Sequence, residues 1–78
     1  MKIINQNVDI SKLLLKELPD FLSDVFVKGN FFCHNNQLTS LEGSPEKVER
    51  NFYCLNNSVK FTEEDVRKVC KVKGRVFV

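Results

Sequence analysis

The sequence predicts a small α/β fold in which about three strands are stacked by a short internal repeat and covered at each end by a helix. Three observations carry that expectation. Two strings read almost as copies, "NFFCHNN" at Asn30–Asn36 and "NFYCLNN" at Asn51–Asn57. Their side chains follow the two-residue alternation of a strand. The stretches on either side, residues 9–18 and 62–72, carry helix start and stop signals.

At 78 residues the chain is one domain, residues 1–78, with room for only a modest core. Its 42% hydrophobic and 28% charged residues are those of an ordinary globular protein rather than a disordered or fibrous one. Twelve basic against ten acidic side chains leave a net charge of +2, too balanced to imply nucleic acid or membrane unless the charges cluster. No apolar run is long enough for a secretory signal or a membrane span, so a cytoplasmic protein without a membrane partner is expected. Cys33, Cys54 and Cys70 are an odd number without a secretory context, and free thiols are the expectation.

The first predicted element is a helix over "DISKLLLKEL", residues 9–18. Asp9 suits its N-cap, Ile10, Leu14 and Leu18 fall on one face, and Pro19 ends it. It would cover the first strand.

Two repeats of 21 residues follow over 25–59, with Val27 aligned on Val48, Asn30 on Asn51, Phe31 on Phe52, Phe32 on Tyr53, Cys33 on Cys54 and Leu38 on Val59. Upstream, "LKELPDFLSDV" resembles "LTSLEGSPEKV" and reads as the rising arm of a first repeat. Strand alternation puts Phe31 and Cys33 inward, with Phe52 and Cys54 above them. Leu38, Leu41 and Val59 would close the core beneath, and Asn36 and Asn57 sit where the chain bends out of each strand. Gly29 and Gly74, each after a lysine and before a strand, mark tight bends, with a β-hairpin at each as the competing topology.

A second helix is predicted over 62–72, opened by a capping box from Thr62 to Asp65. Val66, Val69 and Cys70 form its apolar stripe, with Glu63 and Glu64 early and Arg67, Lys68 and Lys71 late, as the helix dipole prefers. The final strand, residues 73–78, comes from "VKGRVFV", which aligns with "VKGNFFC" when about three residues are added before it. Val76 and Val78 would continue the inward face.

The stretch "FFCHNNQLTSLEGSPEKVERNFYCLNN" resembles the leucine-rich repeat pattern LxLxxNxLxxLP, and more closely a short variant with FYCxNNxLTSLEGxPxxV units found in proteins of tailed bacteriophages. The likeness covers Val25 to about Val59, and weakly the last seven residues. Phe and Cys stand for the usual strand leucines, and Glu42 where proline is common. The resemblance implies a capped leucine-rich-repeat-like fold serving as a binding scaffold, and a phage protein acting on a bacterial host factor.

No catalytic constellation stands out. Cys33 and His34 are adjacent in a strand and point to opposite faces, which argues against both a metal site and a nucleophile pair. Glu42, Glu46 and Glu49 read as a solvated loop, and Gly29, Gly43 and Gly74 stand alone rather than in a phosphate-binding loop. No enzyme activity, cofactor or metal is expected. The candidate binding surface is the outward side of the repeat strands, where Phe32, Tyr53 and Phe77 form a row extended by His34 and Leu55. The bland alternative is that the same row is a second core face under a cap. A protein partner is the leading expectation, with pairing of copies through strand edges also open. The runner-up function is RNA or DNA binding through the basic segment Arg67, Lys68, Lys71, Lys73 and Arg75.

Overall fold

The computed structural model describes all 78 residues. Eight short strands follow in chain order: β1 (Lys2–Ile4), β2 (Val8–Asp9), β3 (Val25–Val27), β4 (Phe31–Phe32), β5 (Lys47–Val48), β6 (Phe52–Tyr53), β7 (Lys71–Val72) and β8 (Val76–Phe77). One helix, α1 (Glu63–Val69), lies between β6 and β7, and a single 3₁₀ turn covers Asp20–Leu22. The strands form two four-stranded sheets, ordered β1-β3-β5-β7 and β2-β4-β6-β8, with every pairing parallel. Each coil of chain gives one strand to each sheet, so the molecule is a solenoid of four stacked coils.

Like residues stack because the coils are in register. Ile4, Val27, Val48 and Val72 align across the first sheet. Val8, Phe31, Phe52 and Val76 align across the second, at successive spacings of 23, 21 and 24 residues. Both rows point inward: Val27, Val48, Phe31 and Phe52 are buried, and the rings of Phe31 and Phe52 meet at 5.1 Å between centroids. Leu18, Leu22, Leu38, Leu41, Phe61 and Val66 close the core from the return segments.

This architecture corrects the expected fold of three strands between two helices. The segments Val25–Val27 and Lys47–Val48 are strands of the first sheet, which the expected fold lacked, and not approaches to the repeat strands β4 and β6. A whole coil also precedes the recognisable repeats, hidden because "VDI" replaces "FFC". Helix 9–18 does not form: Asp9 belongs to β2, Lys12 and Leu14 adopt φ values of 59°, and Leu14 is exposed. The stacking bonds prevail over local propensity there, since the N–H groups of Ile10 and Lys12 donate to the carbonyls of Phe32 and His34. Asp9 instead accepts from the Ser11 N–H at 2.9 Å, a local turn rather than a helix cap.

The second helix is shorter than 62–72. Its capping box is present, with the Asp65 N–H donating to Thr62 Oγ1 (3.1 Å) and the Thr62 N–H to Asp65 Oδ2 (2.9 Å). It ends at Val69 because Lys71 and Val72 are drawn into β7, where the Lys71 N–H donates to the Glu46 carbonyl. Val69 is therefore exposed, and of the expected last strand, residues 73–78, only Val76–Phe77 pair, leaving Val78 at the surface. Val59 is exposed too: the third coil is three residues longer than the second, and Phe61 and Val66 fill the space instead.

Asparagines hold the corners. Between the two sheets the N–H groups of Asn30, Asn51 and Arg75 donate to Oδ1 of Asn7, Asn30 and Asn51, each one coil earlier, at 2.7, 2.9 and 2.9 Å. At the far end of the second sheet Asn36 is buried, its Oδ1 accepting from the Leu13 and Leu15 N–H groups while its amide donates to the Ile10 carbonyl. Asn57 repeats the arrangement on Leu38 and Cys33. Asn35 and Asn56 take the left-handed conformation at φ 56° and 55°, which Asn tolerates better than most residues. Parallel stacking rules out hairpins at Gly29 and Gly74. A Cβ on Gly29 would lie 2.7 Å from the Asn7 nitrogen, and one on Gly74 would lie 2.6 Å from the Arg50 carbonyl carbon.

Gly74→Ala should therefore destabilise the protein by about 1–3 kcal/mol through backbone overlap. Asn36→Ala should cost about 1–3 kcal/mol for each buried group left unpaired, and Phe31→Ala or Phe52→Ala about 3–5 kcal/mol. Urea titrations followed by circular dichroism check all four. Wild-type stability of Asn36→Ala would remove the side-chain bonds from the list of forces that stack the coils.

Candidate functional site

The outward row of the second sheet contains Asp9, Phe32, Tyr53 and Phe77 in register. Strands about 4.8 Å apart set the spacing of whatever they carry, and the three rings use it to stack. Phe32 and Tyr53 lie 4.7 Å apart at 14° between planes, and Tyr53 and Phe77 lie 4.7 Å apart at 7°. Each such pair contributes roughly 0.5–1.5 kcal/mol beyond its burial. The rings are half-buried, in contrast to the fully buried Phe31 and Phe52 one residue before, so the row is a surface and not a second core.

The stacking covers both faces of Tyr53 and one face each of Phe32 and Phe77, so the row presents mainly ring edges along its length. Ring edges carry the positive end of the aromatic quadrupole and suit carbonyl, carboxylate or aliphatic groups better than a stacked base. His34 packs edge-on beside the row, 5.9 Å from Phe32 and 6.3 Å from Tyr53, and its Nδ1 is buried without a hydrogen-bond partner. Leu55, its counterpart one coil later, is exposed. The Tyr53 hydroxyl accepts from the Asn51 amide at 3.3 Å, tying the row to the asparagine corner. Asp9 closes the row at the first coil, its carboxyl held below the ordinary aspartate range chiefly by the Ser11 hydroxyl and N–H, with the His34 and Lys12 charges adding to the effect. The five residues expected to line a binding surface, Phe32, His34, Tyr53, Leu55 and Phe77, are thus brought to one face.

The five basic residues are not one helical cluster. Arg67 and Lys68 lie on α1, Lys71 on β7, and Lys73 and Arg75 in the last corner. Arg67 is occupied within the fold: Nε pairs with Glu63 at 2.9 Å, and its other nitrogens donate to the carbonyls of Val72 (2.7 Å) and Gly74 (3.2 Å). Lys73 pairs with Glu49 at 3.5 Å. What these cations border instead is a face that sequence reasoning missed, the outer side of the first sheet with Phe26, Lys28 and Lys47. The one sequence signal for it is the valine that ends each strand, Val27, Val48 and Val72, since the strands themselves are only two or three residues long.

The thiols of Cys33, Cys54 and Cys70 are free and buried, and no group of three or more histidine, cysteine or carboxylate side chains stands together as a metal site. Burial raises all three thiol pKa values, Cys54 to about 11 and Cys70 to about 12, with the neighbouring thiols adding to the rise at Cys33. A thiol that holds its proton in the folded state contributes stability below its unfolded pKa of about 8.5, lost as pH rises above it. Stability should fall from about pH 8.5 upward by as much as about 1.4 kcal/mol per pH unit for each thiol. Denaturant melts of wild type and Cys54→Val between pH 7 and 10 measure this; equal slopes for the two would disprove the assignment.

Comparison of the chain with protein-family models, with curated proteins and with solved structures returned no match.

Proposed function

We propose that the protein is a non-catalytic protein-interaction module whose docking face is the aromatic row of Phe32, Tyr53 and Phe77 with His34 and Leu55. The observation that carries the reading is that three large rings and a leucine share one solvent-facing side of a sheet in a molecule with few apolar groups to spare. Their mutual stacking makes the surface rigid before any partner arrives, which lowers the ordering cost of binding. The resemblance of the repeat units to those of tailed-phage proteins suggests a bacterial host protein as the partner, met in the cytoplasm. No helix is long and apolar enough to cross a membrane.

Leu55 provides the clean test, because it is exposed and takes no part in the ring stacking. Leu55→Glu should leave stability within about 0.5 kcal/mol of wild type yet abolish capture of the partner from a nuclease-treated bacterial lysate. Capture by wild type should persist at about 0.5 M salt, since apolar contacts do not weaken with ionic strength as phosphate contacts do. Loss of capture on nuclease treatment, or full capture by Leu55→Glu, would refute the aromatic face as the docking site.

A further inference from the structure

The outer side of the first sheet carries Ile3, Phe26, Lys47 and Lys71 in register. Lys47 and Lys71 are direct neighbours on adjacent parallel strands, and like charges so placed repel and destabilise a sheet. Neither has a carboxylate partner: the ion pairs of the fold are Arg67 with Glu63 and Lys73 with Glu49. A third lysine adds to the same field. The ammonium groups of Lys28 and Lys47 lie over the Phe26 ring, 5.4 and 5.6 Å from its centroid. A shallow cleft of about 400 Å³ runs from Phe26 past Lys47 and Lys71 to Lys73 and Arg67, with Glu49 as its one acidic side chain.

Nothing in the fold requires this arrangement, since a threonine or glutamate at either strand position would pair without repulsion. Lys47, Lys71, Lys73 and Arg67 face Glu49 alone, so the cleft carries an unbalanced positive charge. We propose that the outer face of the first sheet, centred on Lys47 and Lys71, binds an acidic extended segment of a partner protein. Carboxylates on alternate residues of an extended chain all project from one side, so a segment laid along the stacking direction offers a row of anions to the row of lysines. Phe26 holds two of the ammonium groups in place through their attraction to its ring, which reduces the side-chain freedom lost on binding. Single-stranded nucleic acid fits less well, because it is gripped by bases stacking on open aromatic faces and the Phe26 face in this cleft is already covered by lysine.

The test uses the full chain with two labelled probes, a ten-residue peptide of alternating glutamate and serine and a ten-residue oligothymidylate, titrated by fluorescence anisotropy at low salt. The peptide should bind. Lys71→Glu should weaken it at least tenfold while keeping or raising the melting temperature, because the repulsion with Lys47 is relieved. Lys16→Glu, the same change of net charge away from the cleft, should leave binding unchanged, and so should Leu55→Glu, which separates this site from the aromatic face. No peptide binding, tighter binding of the oligothymidylate, an equal loss in Lys16→Glu, or a Lys71→Glu protein that melts lower would each overturn the proposal.

Discussion

A side-chain carbonyl standing in for a missing main-chain acceptor lets this chain turn a corner in every coil and still stack. Strand pairs supply their own hydrogen bonds, but the residues between them leave N–H groups with nothing regular to meet. Asn7, Asn30 and Asn51 answer this at the corner between the sheets, each offering Oδ1 to the N–H one coil later. Arg75 takes the fourth position and donates its N–H to Asn51 Oδ1 but has no amide oxygen of its own to offer. Asn36 and Asn57 do the equivalent at the other end of the second sheet, with bonds that reach back to the preceding coil. Each bond contributes only about 1 kcal/mol net, yet an unmet buried donor costs more, so the ladders decide the register of the stack.

Register has consequences on both sides of each strand. Inward, it puts Phe52 on Phe31 and Val48 on Val27, so one small apolar core runs the length of a molecule with strands only two or three residues long. A slip by one residue would turn that core outward. The approach of coil on coil also explains the glycines: Gly29 and Gly74 lie where the preceding coil's backbone passes too close for a Cβ, whereas Arg50, at the equivalent corner, has a longer bond to the coil before it, 3.3 Å to the Gly29 carbonyl against 2.9 Å from Gly74 to the Arg50 carbonyl.

How much of this the sequence disclosed depended on how literally each coil repeats the motif. Coils two and three share five identical residues in "NFxCxNN", and the spacing, the inward and outward sides of β4 and β6 and the aromatic row could be read directly. The first coil keeps only Asn7 of that motif, with Val8 in place of the phenylalanine, and its "SKLLLKEL" has a helical pattern that the next coil's hydrogen bonds override. The first sheet was missed for another reason. Its strands are two or three residues long, too short for alternation to register, and Lys47 and Lys71 at outward positions look like ordinary loop residues until the coils are stacked.

Stacking in register converts a repeated sequence into rows of like side chains, and whether a row is content with itself depends on its chemistry. Aromatic residues attract their own kind at the strand spacing, so the row of Phe32, Tyr53 and Phe77 stabilises the fold even in isolation while staying half-open to solvent. Lysines repel at the same spacing. The Lys47 and Lys71 pair persists against that repulsion with no internal carboxylate to offset it, which is why an external anion accounts for it better than packing does. The two faces meet across the asparagine corner, where the Tyr53 hydroxyl is held by Asn51 and Lys73 by Glu49. The hydrogen bonds of that corner fix the angle between the aromatic face and the lysine face.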